Sequence, residues 1–304
     1  METKITNMQF GNFRTFETTL SGRPLVIETG KMCGLANGSC LVRYGETVVL
    51  VNATASPKPR DGIDFFPLAV DYEEKLYAVG RIPGSFQRRE GRPAEKAILA
   101  SRVIDRPIRP LFPKDMRNDV VISCTVLSVD QDNSPEIAAM IGTSIAISIS
   151  DIPWNGPIGG VAVGLVDGQI IVNPNRAQVE KSDLALTVAG TAKKVVMIEA
   201  GANEVDNDTM YNAIIQAHDE IKKICAFIDT IVAAIGKPKF DYPHIEVNHD
   251  LYEDIERFAL EKVRYCMDTD DKNIREERLN HLRDELHAEF DEKYPDCGDP
   301  QFEE

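Results

Sequence analysis

Short segments rich in β-branched residues dominate the first two thirds of this 304-residue chain and restrict its fold more than any other feature. Each is bounded by Gly, Asn or Asp, which is typical of strands joined by turns at which the chain reverses direction. The predicted strands are 24–29, 39–43, 47–55, 120–129, 158–166, 169–172, 184–189 and 195–199. Strands of this kind have to bury one face against another layer, so a purely helical fold is excluded for this part of the chain.

Three helical patterns interrupt and follow these strands. Helices are predicted at 93–105 and 135–148, each starting at a proline that suits the first helical position. A longer helix is predicted at 205–235, where apolar residues recur every three or four positions and form one continuous stripe. A single stripe that follows strands favours a helix laid on a sheet over a coiled coil. Together these patterns predict an α+β fold, with helices packed on a mixed or antiparallel sheet.

A proline-containing segment at 236–243 marks a predicted domain boundary. We expect one domain at 1–236 and a second, small all-α domain at 237–304. The second domain contains two amphipathic faces, Leu251 to Val263 and Leu279 to Phe290, with a charged exterior. The final stretch, 292–304, shows no periodicity and is predicted to be linker or disordered.

Charge is distributed unevenly along the chain. The net charge is −15, which is unfavourable for binding a phosphate backbone. However, residues 241–304 hold 21 Asp and Glu against 8 Lys and Arg, a balance of −13. Residues 80–109 hold 8 Lys and Arg against 3 Asp and Glu, a balance of +5. The sequence therefore predicts separate acidic and basic regions.

The segment 80–93 is the strongest candidate for a binding site. Three glycines and two prolines exclude a continuous helix or central strand, so Phe86, Arg88 and Arg89 are predicted to be displayed on a loop. An aromatic ring can stack on any base while guanidinium groups bind phosphates, which suits a single-stranded polynucleotide. The alternative is an ordinary surface loop whose arginines pair with nearby carboxylates such as Glu90.

Other features exclude several classes of function. The six cysteines show no CxxC pair or zinc-ligand spacing, and the five histidines offer no constellation of nucleophile and base. The glycine-rich run 156–164 lacks the Lys and Ser/Thr of a Walker motif, which argues against a small-molecule kinase and for close strand packing. Without a signal peptide pattern or a long apolar run, the sequence predicts a cytoplasmic protein that does not enter a membrane.

The segment Gly80 to Pro93, followed by Arg102 to Pro113, resembles the first RNase-PH-type core domain of bacterial polynucleotide phosphorylases. Further similarity lies at 64–68, 152–158 and 186–190, in the order and spacing of that family. The resemblance covers about residues 20–300. It implies an RNase-PH-like βαβα core followed by the family's all-helical domain. We expect the chain to be the N-terminal part of such a protein, ending before a second RNase-PH-type domain and the KH and OB-fold domains.

The resemblance implies the activity of a polyribonucleotide nucleotidyltransferase. Such enzymes degrade RNA from 3′ to 5′ by phosphorolysis, using inorganic phosphate to release nucleoside diphosphates, and the reaction is reversible. The implied partners are Mg²⁺, held by the second core domain, and single-stranded RNA, in a homotrimer; DNA is not expected. The isolated chain is expected to be inactive and to supply RNA-channel and assembly surfaces. The alternative is a non-catalytic RNA-binding or scaffold subunit of an RNase-PH-type ring.

The resemblance also assigns candidate RNA-binding residues. In the family, a Phe-Arg-Arg loop lines the channel through which RNA passes, and Gln87 stands where a second phenylalanine is usual. The matching or neighbouring basic and aromatic residues are Phe86, Arg88, Arg89, Arg92 and Arg81. Arg102 and Arg106 on the predicted helix 93–105 either extend this basic strip or form salt bridges that hold the helix to the sheet.

No catalytic or metal-binding residue is expected in this chain. The family's serine-rich phosphate loop corresponds here to 130–136, which contains one serine and three acids. Its two metal-binding aspartates correspond to Ala185 and Val179, which have no side-chain oxygen to offer a magnesium ion. Asp130 and Asp132 are the nearest acidic candidates, although roles in capping or turns are favoured for them.

Overall fold

The structure is a computed structural model that describes residues 11–60, 62–244 and 248–294. It forms two compact units that divide after Pro243, and each is described by itself. The residues from 292 that lack periodicity lie largely outside the described part. The predicted assignment of 1–236 and 237–304 to two family domains stays a prediction.

Ten strands and six α-helices make up the described residues. The strands are β1 (Arg14–Leu20), β2 (Arg23–Thr29), β3 (Gly38–Tyr44), β4 (Thr47–Pro59), β5 (Leu68–Glu74), β6 (Asn118–Ser128), β7 (Gly159–Val166), β8 (Gln169–Val172), β9 (Leu184–Gly190) and β10 (Val195–Ala202). The helices are α1 (Glu95–Ile108), α2 (Pro135–Ile149), α3 (Arg176–Val179), α4 (Asn207–Ile235), α5 (His249–Met267) and α6 (Lys272–Phe290). None of these helices combines the length and the apolar character that crossing a membrane requires.

The strands of the first unit form two sheets. The larger has six strands in the order β1-β2-β3-β4-β6-β5 and is antiparallel except for the parallel pair β5 and β6. The smaller has four antiparallel strands in the order β10-β9-β7-β8. A parallel pair needs a crossover connection, which the segment containing α1 provides. The predicted α+β class with a mixed sheet is confirmed.

Helix α2 lies between the two sheets and is the centre of the core. Nearly all of its residues are buried, and it packs on β3 and β4 on one side and on β7 and α4 on the other. Two glycines permit this close packing. A Cβ on Gly142 would lie 2.7 Å from the Cγ2 atom of Val51, and a Cβ on Gly160 of β7 would lie 2.1 Å from the sulfur of Met140.

Both ends of α2 satisfy their free backbone groups. At the N-terminus, the Ser134 hydroxyl accepts a hydrogen bond from the backbone N–H of Ile137 at 3.4 Å. At the C-terminus, the Lys239 ammonium donates to the carbonyl oxygens of Ile147, Ser148 and Ser150 at 3.2, 3.0 and 2.7 Å. Lys239 belongs to the predicted boundary segment, which therefore lies against the core.

Helix α4 packs on the smaller sheet, as its single apolar stripe predicted. Its N-terminus is capped by Asp206, whose carboxylate accepts from the backbone N–H of Thr209 at 2.9 Å. The buried part of the stripe consists of Ala217, Ile221, Ile224, Ile228 and Ile231. The glycine-rich run at 156–164 lies mainly in β7, so its predicted role in close strand packing is confirmed.

Sequence patterns missed β1 and β5 and misplaced the ends of α1. Strand β1 has an arginine, a glutamate and three threonines among its seven residues, and β5 ends in two glutamates, so neither shows a long run of apolar β-branched residues. Helix α1 begins at Glu95, two residues after Pro93, because Ala94 is still extended at φ −67° and ψ 154°. It also continues through Pro107, which is buried and lies one residue from the helix end.

The second unit is a pair of helices, α5 and α6, joined by a short turn. Each starts at a side-chain cap, Asn248 for α5 and Asp271 for α6. The rings of Phe258 and Phe290 meet edge to face with their centroids 5.6 Å apart. The ion pair between Lys262 and Glu285, at 2.6 Å, lies on the solvent side of the same contact. The predicted all-α character of this unit is confirmed.

Replacing Gly142 by Ala is expected to lower the free energy of unfolding by about 1–3 kcal/mol, because the added methyl group would overlap β3 and β4. Urea denaturation would show a lower midpoint with an unchanged m-value. Gly201→Ala in β10 is the matched control, because a Cβ there meets nothing within 4 Å. Equal midpoints for the two variants would contradict the packing described for α2.

Candidate nucleic-acid interface

The predicted binding segment forms an exposed loop between β5 and α1. After β5 the chain makes a one-turn 3-10 helix, Leu76–Val79, and then leaves regular structure until α1 begins. Gly80 ends this turn in a left-handed conformation at φ 71°, which favours glycine, and donates its N–H to the carbonyl of Tyr77 at 3.0 Å. We call residues 80–94 the arginine loop.

Phe86 stands at the tip of the arginine loop with its side chain in solvent. Its relative exposure is 102%, more than any other phenylalanine in the described residues. Large exposed aromatic side chains are costly unless they have a partner, because their apolar surface stays in contact with water. The position leaves both faces of the ring accessible to a flat ligand such as a nucleobase.

The four arginines of the loop, Arg81, Arg88, Arg89 and Arg92, are also exposed. Within residues 11–60, 62–244 and 248–294, none of their guanidinium groups forms an ion pair with a carboxylate. Their charges therefore face solvent without local compensation. Such an arrangement attracts polyanions, and planar guanidinium groups match phosphate oxygens in a bidentate geometry.

A tight turn fixes the backbone at the central arginines, Arg88 and Arg89. The backbone N–H of Arg88 donates to the carbonyl of Ser85 at 3.0 Å, and the Ser85 hydroxyl donates to the carbonyl of Arg89 at 3.2 Å. Arg88 itself has φ 54°, a left-handed conformation that non-glycine residues seldom adopt. Because strained backbone is retained where surrounding contacts hold it, this turn is a defined structure rather than a random stretch of loop.

The sequence left open the alternative that Glu90 pairs with the loop arginines, and in the structure it does not. Its carboxylate instead accepts a hydrogen bond from the backbone N–H of Leu76 at 3.1 Å. Leu76 is the first residue of the 3-10 helix, and the preceding Lys75 provides no side-chain cap. The acidic residue of the loop therefore binds the backbone and leaves the arginines unpaired.

The two arginines of α1, Arg102 and Arg106, and Arg109 just after it have different environments. Arg102 is exposed and, among the described residues, forms no ion pair, not even with Asp105 three positions further along the helix. Asp105 pairs with Arg109 instead, at 2.7 Å. Arg106 pairs with Glu199 of β10 at 3.1 Å, so the salt-bridge alternative describes Arg106 and not Arg102. The RNA-binding role of both residues stays a prediction.

Lys96 contributed to the basic balance of the sequence but is neutralised in the structure. Its ammonium lies 3.3 Å from Glu74 and 3.4 Å from Glu136, at the ends of β5 and α2. Burial lowers the pKa of this lysine, but the two carboxylates, Glu136 foremost, outweigh burial and leave the pKa raised. Lys96 therefore fastens the start of α1 to the core rather than extending the basic strip. Linear spacing gave no sign of this contact.

The segment 130–136 is a closed turn. The Asp130 carboxylate accepts from the backbone N–H of Asp132 at 3.0 Å, and this bond lowers the pKa of Asp130, with further support from Asn133. Arg23 of β2 binds the Asn133 side chain at 2.9 Å and the backbone carbonyls of Asp132 and Asn173. The polar groups of this segment thus satisfy one another, in agreement with the turn role favoured from the sequence.

The residues that correspond to the family's metal ligands do not fit a magnesium ion. Val179 and Ala185 are both exposed and carry no oxygen donor. No cluster of three or more His, Cys, Asp or Glu side chains suited to a metal occurs in the described parts of the chain. The side chains at these two positions therefore cannot supply the oxygen ligands that magnesium requires.

The chain resembles proteins of one family along most of its length. A model of the 3′ exoribonuclease family, domain 1, matches residues 21–153, and a model of domain 2 of the same family matches residues 156–220. The first match covers the six-stranded sheet from β2 onwards together with α2. The second covers the four-stranded sheet and the first half of α4.

Relatives named polyribonucleotide nucleotidyltransferase extend the match. Those of Ruminiclostridium cellulolyticum and Clostridioides difficile are 60% and 55% identical over 284 and 278 residues, which is 93% and 91% of this chain. The chain spans 40% of the length of each relative. The crystal structure of rice (Oryza sativa) Rrp46 aligns with a TM-score of 0.55 and 15% identity, covering 72% of this chain and 94% of that one. The last comparison shows a shared fold.

Thiol accessibility provides a test of the described burial. Cys33 is exposed, whereas Cys40, Cys124, Cys225 and Cys266 are buried. Burial raises the pKa of Cys225 to about 11 and that of Cys124 to about 12, so these thiols stay protonated and unreactive near neutral pH. Peptide mapping after brief alkylation at pH 8 should find label on Cys33 and none on the four buried residues until denaturant is added. Native labelling of Cys124 would contradict the packing around α2.

Proposed function

The chain belongs to the 3′ exoribonuclease family, and we propose that it is the RNA-guiding part of a protein that degrades RNA from its 3′ end by phosphorolysis. The observation that carries this proposal is the arginine loop, in which an exposed Phe86 stands among four exposed arginines that form no ion pair with any described residue. The bound class is single-stranded RNA. A stacked base and neutralised phosphates give affinity without dependence on sequence, as an enzyme that moves along RNA requires.

Each predicted side chain has a physical role in this proposal. Phe86 stacks on one base, and Arg88 and Arg89 bind the phosphates on either side of it. Arg81 and Arg92, at the two ends of the loop, extend the positive surface. Arg102 continues it along α1, while Arg106 contributes less because its charge is shared with Glu199.

The chemical step belongs to the whole protein. In phosphorolysis an oxygen of inorganic phosphate attacks the phosphorus of the terminal phosphodiester, and the bond from that phosphorus to the 3′ oxygen of the preceding ribose breaks. The 3′ oxygen takes up a proton, so the products are a nucleoside diphosphate and an RNA shortened by one nucleotide. Val179 and Ala185 do not fit a magnesium site, so we assign any magnesium ion to the part of the protein that corresponds to the second core domain. The proposed role of this chain is to bind and orient RNA.

We also propose assembly into a homotrimer and a cytoplasmic location, as the family resemblance implies. Exposed apolar side chains on the outer face of α1 support an assembly surface, since Ile98 and Leu99 keep 52% and 57% of their area exposed. The alternative, a non-catalytic RNA-binding or scaffold subunit of a ring, predicts the same RNA binding. It differs in predicting no phosphorolysis by the full-length protein.

Replacing Arg88 and Arg89 together by Ala is expected to weaken binding to oligoadenylate at least about tenfold at low salt, because two phosphate contacts are lost. The slope of log affinity against log salt should decrease by roughly 1.4, about 0.7 for each phosphate. Fluorescence anisotropy across a salt series measures both quantities.

A matched control removes the same charge elsewhere. Lys222→Ala with Lys223→Ala deletes two positive charges from α4 that already pair with Asp219 and Glu220. We expect this variant to bind RNA as the unchanged chain does. If both double variants lost affinity equally, binding would depend on net charge alone and the arginine loop would have no special role.

Phosphate-dependent release of nucleoside diphosphates from poly(A) by the isolated chain is expected to be at background level, because the chain contains no assigned catalytic or metal-binding residue. Chromatographic detection of ADP with and without phosphate provides the measurement. Robust turnover by the isolated chain would contradict the division of roles proposed here.

A further inference from the structure

The arginine loop has a closing contact that the family assignment does not supply. The hydrogen bond from the Leu76 N–H to the Glu90 carboxylate, 3.1 Å long, joins two residues separated by 14 positions. It brings the second half of the loop back to the 3-10 helix where the loop starts. The segment between them, including Phe86, Arg88 and Arg89, is thereby held as a closed loop.

The chemistry of this contact explains why a carboxylate occupies position 90. The first N–H groups of a helical turn have no partner within the turn, and Lys75 at the N-cap has no side-chain acceptor to offer. A negative oxygen is the strongest acceptor for such a group. Glu90 therefore acts as an N-cap supplied from across the loop.

The Glu90 carboxylate also acts on the charge of Lys75. The pKa of the nearby Lys75 is raised, chiefly by its hydrogen bond to Glu73 at 2.5 Å, and the charge of Glu90 adds to that shift. Burial opposes the shift without cancelling it. The carboxylate of Glu90 thus faces a backbone N–H and a lysine, so its presence in a basic loop does not neutralise Arg88 or Arg89.

We propose that Glu90 is a positioning residue for RNA binding: by closing the arginine loop on Leu76, it holds Phe86, Arg88 and Arg89 in one preformed surface for the RNA backbone. The inference rests on the proposed RNA-guiding function. Its physical basis is preorganisation, since a loop that is already ordered loses less conformational entropy when RNA binds. Ser85 fixes the tip of the loop in the same way, through its bonds to Arg88 and Arg89.

Two substitutions of Glu90 separate the effect of its hydrogen bond to Leu76 on RNA binding from the effect of its negative charge. Glu90→Ala and Glu90→Gln both remove one negative charge from the basic loop, but only glutamine keeps a side-chain oxygen that can accept from Leu76. We expect Glu90→Gln to bind oligoadenylate at least as tightly as the unchanged 304-residue chain. Glu90→Ala should bind roughly five- to tenfold more weakly than Glu90→Gln. Equal affinity of the two variants would overturn the proposal, because only the charge would then matter.

Limited trypsin digestion tests loop closure without RNA. Trypsin cuts after Arg88 and Arg89 when the loop opens, so Glu90→Ala should be cleaved there roughly five- to tenfold faster than Glu90→Gln. Urea midpoints should agree among all three proteins, since the contact lies on a surface loop. Equal cleavage rates would overturn the closing role, and faster cleavage with unchanged RNA affinity would overturn the positioning role.

The two proposals fail in different ways. If the Arg88→Ala/Arg89→Ala variant binds RNA as well as the unchanged chain, the proposed RNA-guiding function of the loop fails, and with it the positioning role of Glu90. The trypsin rates then still report whether Glu90 closes the loop. If the double arginine variant loses affinity while Glu90→Ala and Glu90→Gln agree, the loop binds RNA but Glu90 does not position it.

Discussion

The burial of α2 between two sheets is the constraint on which the rest of the first unit depends. Charged residues are costly within a helix that is covered on all sides, and the single charged residue of α2, Glu136, lies half-buried in its first turn. Close packing at Gly142 and Gly160 leaves no space for an added methyl group. The free carbonyls at the C-terminal end are satisfied by Lys239, whose charge is otherwise costly to bury. The C-terminal end of this core helix is therefore stabilised by Lys239, a residue about 90 positions away in the sequence.

This core also determines where the arginine loop lies. Strand β5 is the edge strand of the larger sheet, and the chain leaves it to form the loop before returning as α1. Lys96 binds Glu136 at the N-terminus of α2 and Glu74 at the end of β5, which fastens the far side of the loop to the core. Glu90, in the second half of the loop, binds the 3-10 helix at which the loop starts. The arginine loop is thus held at two points, as a binding surface built on a rigid scaffold requires.

The basic residues of the sequence divide into two groups in the structure. Lys96, Arg106 and Arg109 pair with carboxylates and hold elements together. The loop arginines and Arg102 remain unpaired among the described residues and face solvent. The charge balance of +5 in residues 80–109 therefore counts basic residues whose charge is already paired with a carboxylate. The loop arginines are not among those paired residues. The distinction matters because an arginine already bound to a carboxylate must lose that partner before it can bind a phosphate.

The sequence by itself determined the α+β class, most strands, the stripe of α4 and the loop that displays Phe86. These features depend on local periodicity and on glycine and proline, which act over a few residues. Only the tertiary structure decided the roles of Glu90, Lys96 and Arg106, because their partners lie 14, 22 to 40 and 93 positions away. It also decided that β1 and β5 are strands, since their partners in the sheet and not their own composition stabilise them. Contacts between distant residues depend on how the layers pack, and no local pattern records that packing.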